Sequence, residues 1–402
     1  NKSKKNQGQN PSNTITFLYS NTRSIKNKFT ELEAIIETEC PDIIGLTETW
    51  LDSEKNEFIS EFNIEGYTLI NKDRKSKRGG GVLIYIRDYL KPIRVERQTN
   101  NEKVETVWAQ LTGDNNQRVN IGVVYRPPTQ TAAIDDLLYR EINYQITRHQ
   151  HTVIMGDFNL PDINWDNIDV QSYYTDRSGR EQRQTSSEKF IELMQNNFLI
   201  QNVNEPTRLD NILDLVLSTE ENLVQNVKVG EHIAKSDHNI IRGEINITKK
   251  LEENEEKIYN YKRGNFNQIR EKLRTIDWNH LFRNKTASDM YDTFTNKLMK
   301  LVDRYVPKQT RRTSGKVQPK WFTREIKQAL VQKKILFQIQ ESDSTDQNKR
   351  EYYKVRREVQ KKIRQSKRNY EKKIADTCKE NPKAFYAYVS KKKKTKDSIG
   401  PL

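Results

Sequence analysis

The chain has 402 residues, with 70 Lys+Arg against 55 Asp+Glu, a formal charge of +15 and only 34% hydrophobic residues. That length predicts two or three domains, and so much charge beside so little apolar content excludes one evenly packed globule. No apolar run suits a bilayer span, the start Asn1 to Asn13 lacks a signal segment, and Cys40 and Cys378 stand apart, which argues against membrane-spanning, secreted, disulfide-scaffold and structural-zinc readings.

The first residue is Asn, not Met, so we expect a fragment or partial reading frame, beginning with a disordered polar N-terminus over residues 1–13. Strand-like runs follow at Thr14 to Tyr19, Ile43 to Leu46, Val82 to Ile86, Val107 to Leu111, Val119 to Tyr125, Thr152 to Met155, Ile212 to Leu217 and Ile240 to Ile245. Between them lie helical stripes: Phe29, Leu32, Ile35 and Ile36 before Pro41, then Ile134, Leu137, Leu138, Ile142 and Ile146, then Phe190, Leu193 and Met194. Turn-linked pairs such as Val107 to Leu111 and Val119 to Tyr125 suggest hairpins more than parallel crossovers. The expected fold over 14–247 is therefore α/β (α+β): a sandwich of two mainly antiparallel sheets flanked by helices.

Beyond it, the acidic stretch Glu252 to Glu256 suggests a linker over 248–260, followed by a helical connector over 261–318. A helix ends at Pro307, a basic loop spans Arg311 to Lys316, and another helix runs from Trp321 to about Gln340. From Lys349 to Cys378, Tyr352, Val355, Val359, Ile363, Tyr370 and Ile374 form one narrow apolar stripe among Lys and Arg. Residues 319–402 hold 24 Lys+Arg against 10 Asp+Glu, a net +14, so nearly all of the excess charge sits here. The front part is almost neutral, and its chemistry has to be read from individual residues.

Five polar islands stand at the ends of predicted strands: Ser20 to Ser24, Gly45 to Trp50, Tyr125-Arg126-Pro127-Pro128, Gly156-Asp157-Phe158-Asn159 and Ser236-Asp237-His238, with Asp214 inside another apolar run. This set suits metal-assisted attack on a phosphodiester. Mg²⁺ needs oxygen ligands, which Asn21 and Glu48 offer, and Asp157 can take the proton of the attacking water while Asn159 orients it. His238 would face the developing phosphorane charge, with Asp214 fixing its ring and raising its pKa, and Tyr125 would add a hydroxyl. Singly each residue has a plainer reading: Asn21 as a cap, Glu48 as a loop acid, Tyr125 as core. Their shared position at strand ends favours the joint one.

The ordered set Asn21, Glu48, Tyr125, Asp157-Phe158-Asn159, Asp214 and Ser236-Asp237-His238 resembles the endonuclease/exonuclease/phosphatase superfamily. The wording Asn-Thr-Arg-Ser-Ile, Gly-Leu-Thr-Glu-Thr-Trp-Leu, Arg-Gly-Gly-Gly-Val, Val-Tyr-Arg-Pro-Pro, Gly-Asp-Phe-Asn and Leu-Asp-Leu-Val-Leu resembles the apurinic-endonuclease-like domain of non-LTR (LINE-type) retrotransposon polyproteins, over roughly Thr14 to Asn246. The resemblance implies a four-layered sandwich, dependence on Mg²⁺ or Mn²⁺, and a DNA nick leaving a 3′-hydroxyl. It makes Asn21 and Glu48 metal-site residues with Asp237 beside the metal or the histidine, Asp157 the base, Asn159 an orienting group, and Asp214 with His238 a phosphate-stabilising dyad. Candidate DNA backbone contacts are Arg23, Lys28, Arg78, Arg126 and Arg208. One departure is Arg23, where related repair enzymes carry an acid, which makes abasic-site repair a poorer expectation.

Pro319-Lys320-Trp321-Phe322 and the basic helix resemble the connector that precedes reverse transcriptase in such polyproteins, yet no Tyr-x-Asp-Asp motif occurs, so nicking without DNA synthesis is expected. The partners expected are DNA and, through the basic helices, RNA. Action on chromosomal DNA implies an intracellular, nuclear location. Two alternatives compete: a phosphatase of the same fold on a non-nucleic substrate, and an inactive nucleic-acid-binding remnant.

Overall fold

A computed structural model of the chain describes residues 14–51, 59–75, 78–170, 185–248, 255–312 and 318–393. The polar N-terminus at 1–13, most of the acidic stretch at Glu252, most of the basic loop up to Lys316 and Lys394 lie outside them. In chain order the first unit contains β1 (Thr14–Asn21), α1 (Phe29–Glu39), β2 (Ile43–Thr47), β3 (Tyr67–Lys72), β4 (Val82–Arg87), β5 (Ile93–Val95), β6 (Glu105–Thr112), β7 (Arg118–Tyr125), α2 (Ala132–Arg148) and β8 (His151–Asp157). There follow β9 (Ile163–Asn164), β10 (Asp169–Val170), α3 (Ser186–Asn196), β11 (Ile200–Gln201), β12 (Asp214–Ser218), β13 (Val224–His232) and β14 (Asn239–Thr248). After β15 (Glu255–Tyr259), α4 (Phe266–Arg274), α5 (Trp278–Phe282), α6 (Ala287–Tyr305) and β16 (Lys308–Arg312), the chain ends in α7 (Arg324–Ser342), α8 (Asp346–Asp376) and α9 (Pro382–Lys393).

Two six-stranded sheets, ordered β13-β14-β1-β2-β4-β3 and β11-β12-β8-β7-β6-β5, form the sandwich. Most pairs are antiparallel, as the hairpin signals suggest, but each sheet holds one parallel pair, β1 with β2 and β7 with β8. A parallel pair needs a crossover, supplied by α1 and α2 respectively. This arrangement decides where the site lies. The C-terminal ends of β1, β2, β7 and β8 all finish beside the starts of the antiparallel neighbours β12 and β14, so side chains from six strands meet at one rim.

Strand alternation builds the layers. Phe17, Tyr19, Ile84, Val107, Ile121, Val123, Met155, Val216 and Ile241 point between the sheets. Their neighbours Leu18, Ile44, Leu46 and Tyr85 face outward onto α1, while Trp108, Val124, Ile154 and Leu217 face outward onto α2 and α3. Strands buried on both faces read as continuous apolar runs, which is why these were visible in the sequence, whereas β13, at a sheet edge, mixes exposed and partly buried positions and was not.

The compact units are Asn1–Lys250 with Pro319–Leu402, and Leu251–Gln318. The first therefore includes the basic C-terminal helices: Trp321, Phe322, Ile326, Leu330, Val359 and Ile363 join the same apolar cluster as α1 and the outer face of the first sheet. Burying a side chain such as Ile363 contributes about 1.5–3 kcal/mol, whereas an exposed like-charge contact costs only tenths, so this stripe is enough to dock a strongly basic helix. The second unit packs Ile269, Val302 and Val306 against Leu273, Leu298 and Tyr305, with β15 and β16 paired. Among the described residues no helix is long and apolar enough to cross a membrane.

Candidate active site

Asn21 ends β1 and is fully buried; its Nδ2 donates to Glu48 Oε1 at 3.0 Å and to Asp157 Oδ2 at 2.7 Å, and its Oδ1 accepts from the Arg23 backbone N–H at 3.0 Å. One amide thus ties the two sheets and two carboxylates together. Glu48 follows β2 in a left-handed conformation (φ 48°), its second oxygen accepting from Trp50 Nε1 at 3.0 Å. Trp50 in turn lies under the Arg78 guanidinium, 5.0 Å from the ring centroid. The adjoining Gly81 (φ +85°) has no room for a side chain, since a Cβ there would lie 2.5 Å from Thr49 Oγ1, and its N–H is held by buried Glu105 at 2.6 Å.

Asp157 ends β8 directly opposite Asp214, the first residue of β12. The sequence placed Asp214 within a longer strand. In fact the strand begins at Asp214, because the N–H groups of Leu213 and Asp214 both donate to Thr207 Oγ1, at 3.1 and 3.0 Å. Asp214 Oδ2 receives His238 Nδ1 at 2.7 Å, and its Oδ1 receives the Tyr19 hydroxyl at 3.1 Å, which is also bonded to Thr47 Oγ1 at 2.9 Å. His238 Nε2 lies 4.0 Å from Asp157 Oδ2, outside hydrogen-bond range. Ser236 Oγ locks the approach to His238 by donating to Asn21 O at 2.7 Å and accepting from the His238 N–H at 3.2 Å.

The electrostatics follow from burying two acids, Asp157 and Asp214, with one histidine beside the half-buried Glu48. Burial and the neighbouring Asp214 push the Asp157 carboxyl up to about 8, against the opposing pull of His238 and Asn21. Burial by itself lowers the His238 pKa, but the charge and hydrogen bond of Asp214, with Asp157, outweigh it and raise it to about 9. Tyr125, whose ring is in the inter-sheet core, has its hydroxyl against Glu48 and its pKa raised by burial and by the Glu48 and Asp157 charges. The centre is thus short of positive charge. Asp157, Asp214 and His238 present ligand atoms within 4.8 Å of one another, a group able to hold a metal ion.

The structure brings Asn21, Glu48, Tyr125, Asp157, Asn159, Asp214 and His238 into one contiguous set. Asn159 (φ 47°) donates its N–H to Asp157 Oδ1 at 3.1 Å and its Nδ2 to Arg126 O at 3.0 Å. Asp237 stands at the edge, its Oδ2 shared by Arg23 at 2.8 Å and Arg208 at 2.9 Å, its Oδ1 buried without a partner. Burial raises its pKa, but the Arg23 bond, His238 and Arg208 together bring it below the usual range.

Of the expected DNA contacts, Arg23 and Arg78 are exposed at this rim and Arg208 is half-exposed, Arg23 and Arg208 both pairing with Asp237. Arg126 is a correction: it is buried, clamped by both Asp135 oxygens at 2.8 and 2.9 Å and by the carbonyls of Phe158 at 3.3 Å and Asn159 at 3.1 Å, so it braces the Asp157 loop and cannot reach a phosphate. Lys28 is half-buried, its Nζ bonded to Thr22 O and Arg23 O at 2.5 Å. Thr207 and Tyr19 support the site and went unmarked in the sequence, while Thr47 and Ser236 stood inside polar islands without a role of their own, because hydroxyls beside strands are common and only their tertiary partners distinguish them.

A two-sheet sandwich with an acid–histidine cluster at the shared rim of its central strands defines a hydrolase-type centre. The chain belongs to the endonuclease/exonuclease/phosphatase family, whose model matches residues 18–238, more than half of its length. Comparison with curated proteins gives no match. Solved structures similar to this chain include the AP endonuclease LMAP from Leishmania major (16% identity, 59% of this chain and 89% of that one, TM-score 0.46). Also similar are the endonuclease domain of TRAS1, a telomere-specific non-LTR retrotransposon (15%, 59% and 100%, TM-score 0.44), and the Neisseria 3′ phosphatase NExo bound to a product DNA hairpin (15%, 57% and 99%, TM-score 0.43).

Proposed function

We propose that the protein is a divalent-metal-dependent endonuclease that hydrolyses one strand of duplex DNA and leaves a 3′-hydroxyl, in the manner expected of a retrotransposon nuclease acting in the nucleus. The observation that carries this reading is the joined set Glu48–Asn21–Asp157 with Asp214–His238, intact in every member of the polar inventory. The residues fit a hard divalent ion. Glu48 and Asn21 offer oxygen ligands, and Asp237 Oδ1 is buried and unpartnered. When bound, such an ion supplies charge stabilisation to the phosphate oxygens. We assign it to the Glu48 side and not to the Asp214–His238 pair, because His238 Nδ1 already bonds Asp214 Oδ2 at 2.7 Å and the other Asp214 oxygen takes the Tyr19 hydroxyl at 3.1 Å.

The chain's own residues then divide the work. Asp157 accepts the proton of the attacking water, held in place by Asn21 and by the Asn159 N–H. His238, kept cationic by Asp214, donates Nε2–H toward the negative charge that grows on the phosphoryl oxygens. Arg23, Arg78 and Arg208 at the rim favour a polyanionic backbone over a small phosphomonoester, and the basic face of α8 adds salt-sensitive affinity for DNA or RNA.

The test is incubation with supercoiled plasmid and Mg²⁺, beside release of inorganic phosphate from monoesters. Relaxed circles that vanish with chelator and in Glu48→Ala support the nuclease. Phosphate release without nicking moves the assignment to a phosphatase, and retardation of intact plasmid without either reaction moves it to a binding remnant.

A further inference from the structure

The residues that matched the family end at His238, yet the turn that delivers His238 is held from outside that stretch, by the C-terminal helices. Lys333 of α7, fully buried and paired with Glu31 at 2.7 Å, donates to His232 O at 3.0 Å. Phe337, one turn on, meets the His232 ring edge-on with centroids 6.1 Å apart. Arg356 of α8 donates Nε to Ala234 O and Nη2 to Ser236 O, the latter at 3.2 Å. Three consecutive alternate carbonyls, 232, 234 and 236, are therefore capped by two cations from α7 and α8. Between them Ala234 sits at φ 47°, a left-handed conformation that costs a residue with a Cβ about 1–2 kcal/mol and persists only where its surroundings over-determine it. The Ser236 N–H closes the turn on Ile233 O at 2.8 Å, and Ser236 Oγ then fixes both Asn21 and His238.

We propose that Arg356 is a positioning residue for the phosphate-stabilising histidine. Its forked guanidinium holds the strained turn 234–236 in the one conformation that presents His238 Nδ1 to Asp214, so the basic C-terminal helices are a working part of the catalytic unit. This rests on the reading of His238 as the group facing the phosphate, but the arrangement of the turn is open to observation without turnover. Lysine cannot reproduce the two-carbonyl fork, since it offers a point charge with no fixed plane.

The experiment compares full-length Arg356→Ala and Arg356→Lys with the parent and with Arg140→Ala, an exposed cation on α2. Histidine-selective nitrogen NMR reads the His238 ring, and steady-state plasmid nicking separates kcat from KM. We expect Arg356→Ala to shift the His238 ring nitrogens and to lower kcat by about tenfold to a hundredfold, with KM within about twofold, as a displaced catalytic group does. Arg356→Lys should fall in between, and Arg140→Ala should match the parent. Unchanged His238 resonances in Arg356→Ala would overturn the proposal, as would a loss shared equally with Arg140→Ala. If Arg356→Ala does not fold, Arg356→Lys carries the test: parental resonances and kcat there refute the need for the fork. A parent that cleaves nothing sinks the nuclease reading alone, because the resonance comparison still decides the role of Arg356.

Discussion

Asp157 is a buried acid whose ionised form is disfavoured by its surroundings, and that cost belongs to function. Replacing it with Asn removes the group that must be charged for turnover. We expect activity to fall at least about 10²-fold. At pH 9, where the parent must carry the buried charge, Asp157→Asn should be more stable than the parent by roughly 1–3 kcal/mol. Urea unfolding at pH 5 and pH 9 checks this, since the gain should appear at the higher pH and shrink at the lower. The sign follows from the shifts. The Asp157 pKa rises from 3.8 to about 8, so its contribution to stability is complete below pH 3.8 and lost as pH rises through 8. The His238 pKa, raised from 6.5 to about 9, acts in the same direction, complete below 6.5 and lost through 9. In catalysis the two oppose each other, one needed as a base and one as an acid, so the pH–rate profile should be a bell with its limbs close together. Adding a saturating divalent ion should move the acid limb to lower pH, because positive charge beside Asp157 favours its ionised form. A profile flat between pH 6 and 10 would contradict this assignment.

At the scale of elements, the parallel pairs β1/β2 and β7/β8 bring the catalytic strand ends together, and the helices that allow them are α1 and α2. The α7 contact is the most exposed to mutation. Lys333 and Glu31 are both buried, and Glu31 Oε2 has no further partner, so removing the cation strands a carboxylate in the interior. Lys333→Met should cost about 3–5 kcal/mol, whereas the double change with Glu31→Leu should recover most of the loss, since a buried pair is worth little against apolar packing of similar volume. A double-mutant cycle in urea gives the coupling directly. Six left-handed residues, Arg23, Ser24, Glu48, Trp50, Asn159 and Ala234, flank the site and put backbone strain where side chains have to be aimed, while others, such as Cys40 at the end of α1 and Lys91, serve turns elsewhere.

For the whole molecule, the asymmetry of charge has a spatial meaning. On α8, Tyr352, Val359 and Ile363 turn inward, while Arg350, Lys354, Arg357, Lys361, Arg364 and Arg368 are exposed. DNA affinity should therefore fall steeply with salt, and replacing Arg357, Lys361 and Arg364 with Gln should flatten the slope of log K against log salt by about 0.9 for each phosphate that is no longer neutralised. Binding titrations at several salt concentrations test this, and an unchanged slope would show that α8 stays clear of the nucleic acid. Local patterns settled much of the rest: continuous apolar runs marked the central strands, the stripe on α8 marked its docking face, and the order Asn21, Glu48, Asp157, His238 marked the chemistry, because an apolar run, a helical stripe and strand-end position are properties of short segments. Which arginine meets solvent and which braces a loop was decided only by the packed structure. Arg126 and Arg23 look alike in the chain, but one finds Asp135 inside the fold and the other lies at its surface. The same holds for Tyr19 and Arg356, whose partners are distant in sequence: a hydrogen bond across 120 residues between Arg356 and Ser236 leaves no local trace, and exists only because burial of the apolar stripe brings that helix against the sandwich.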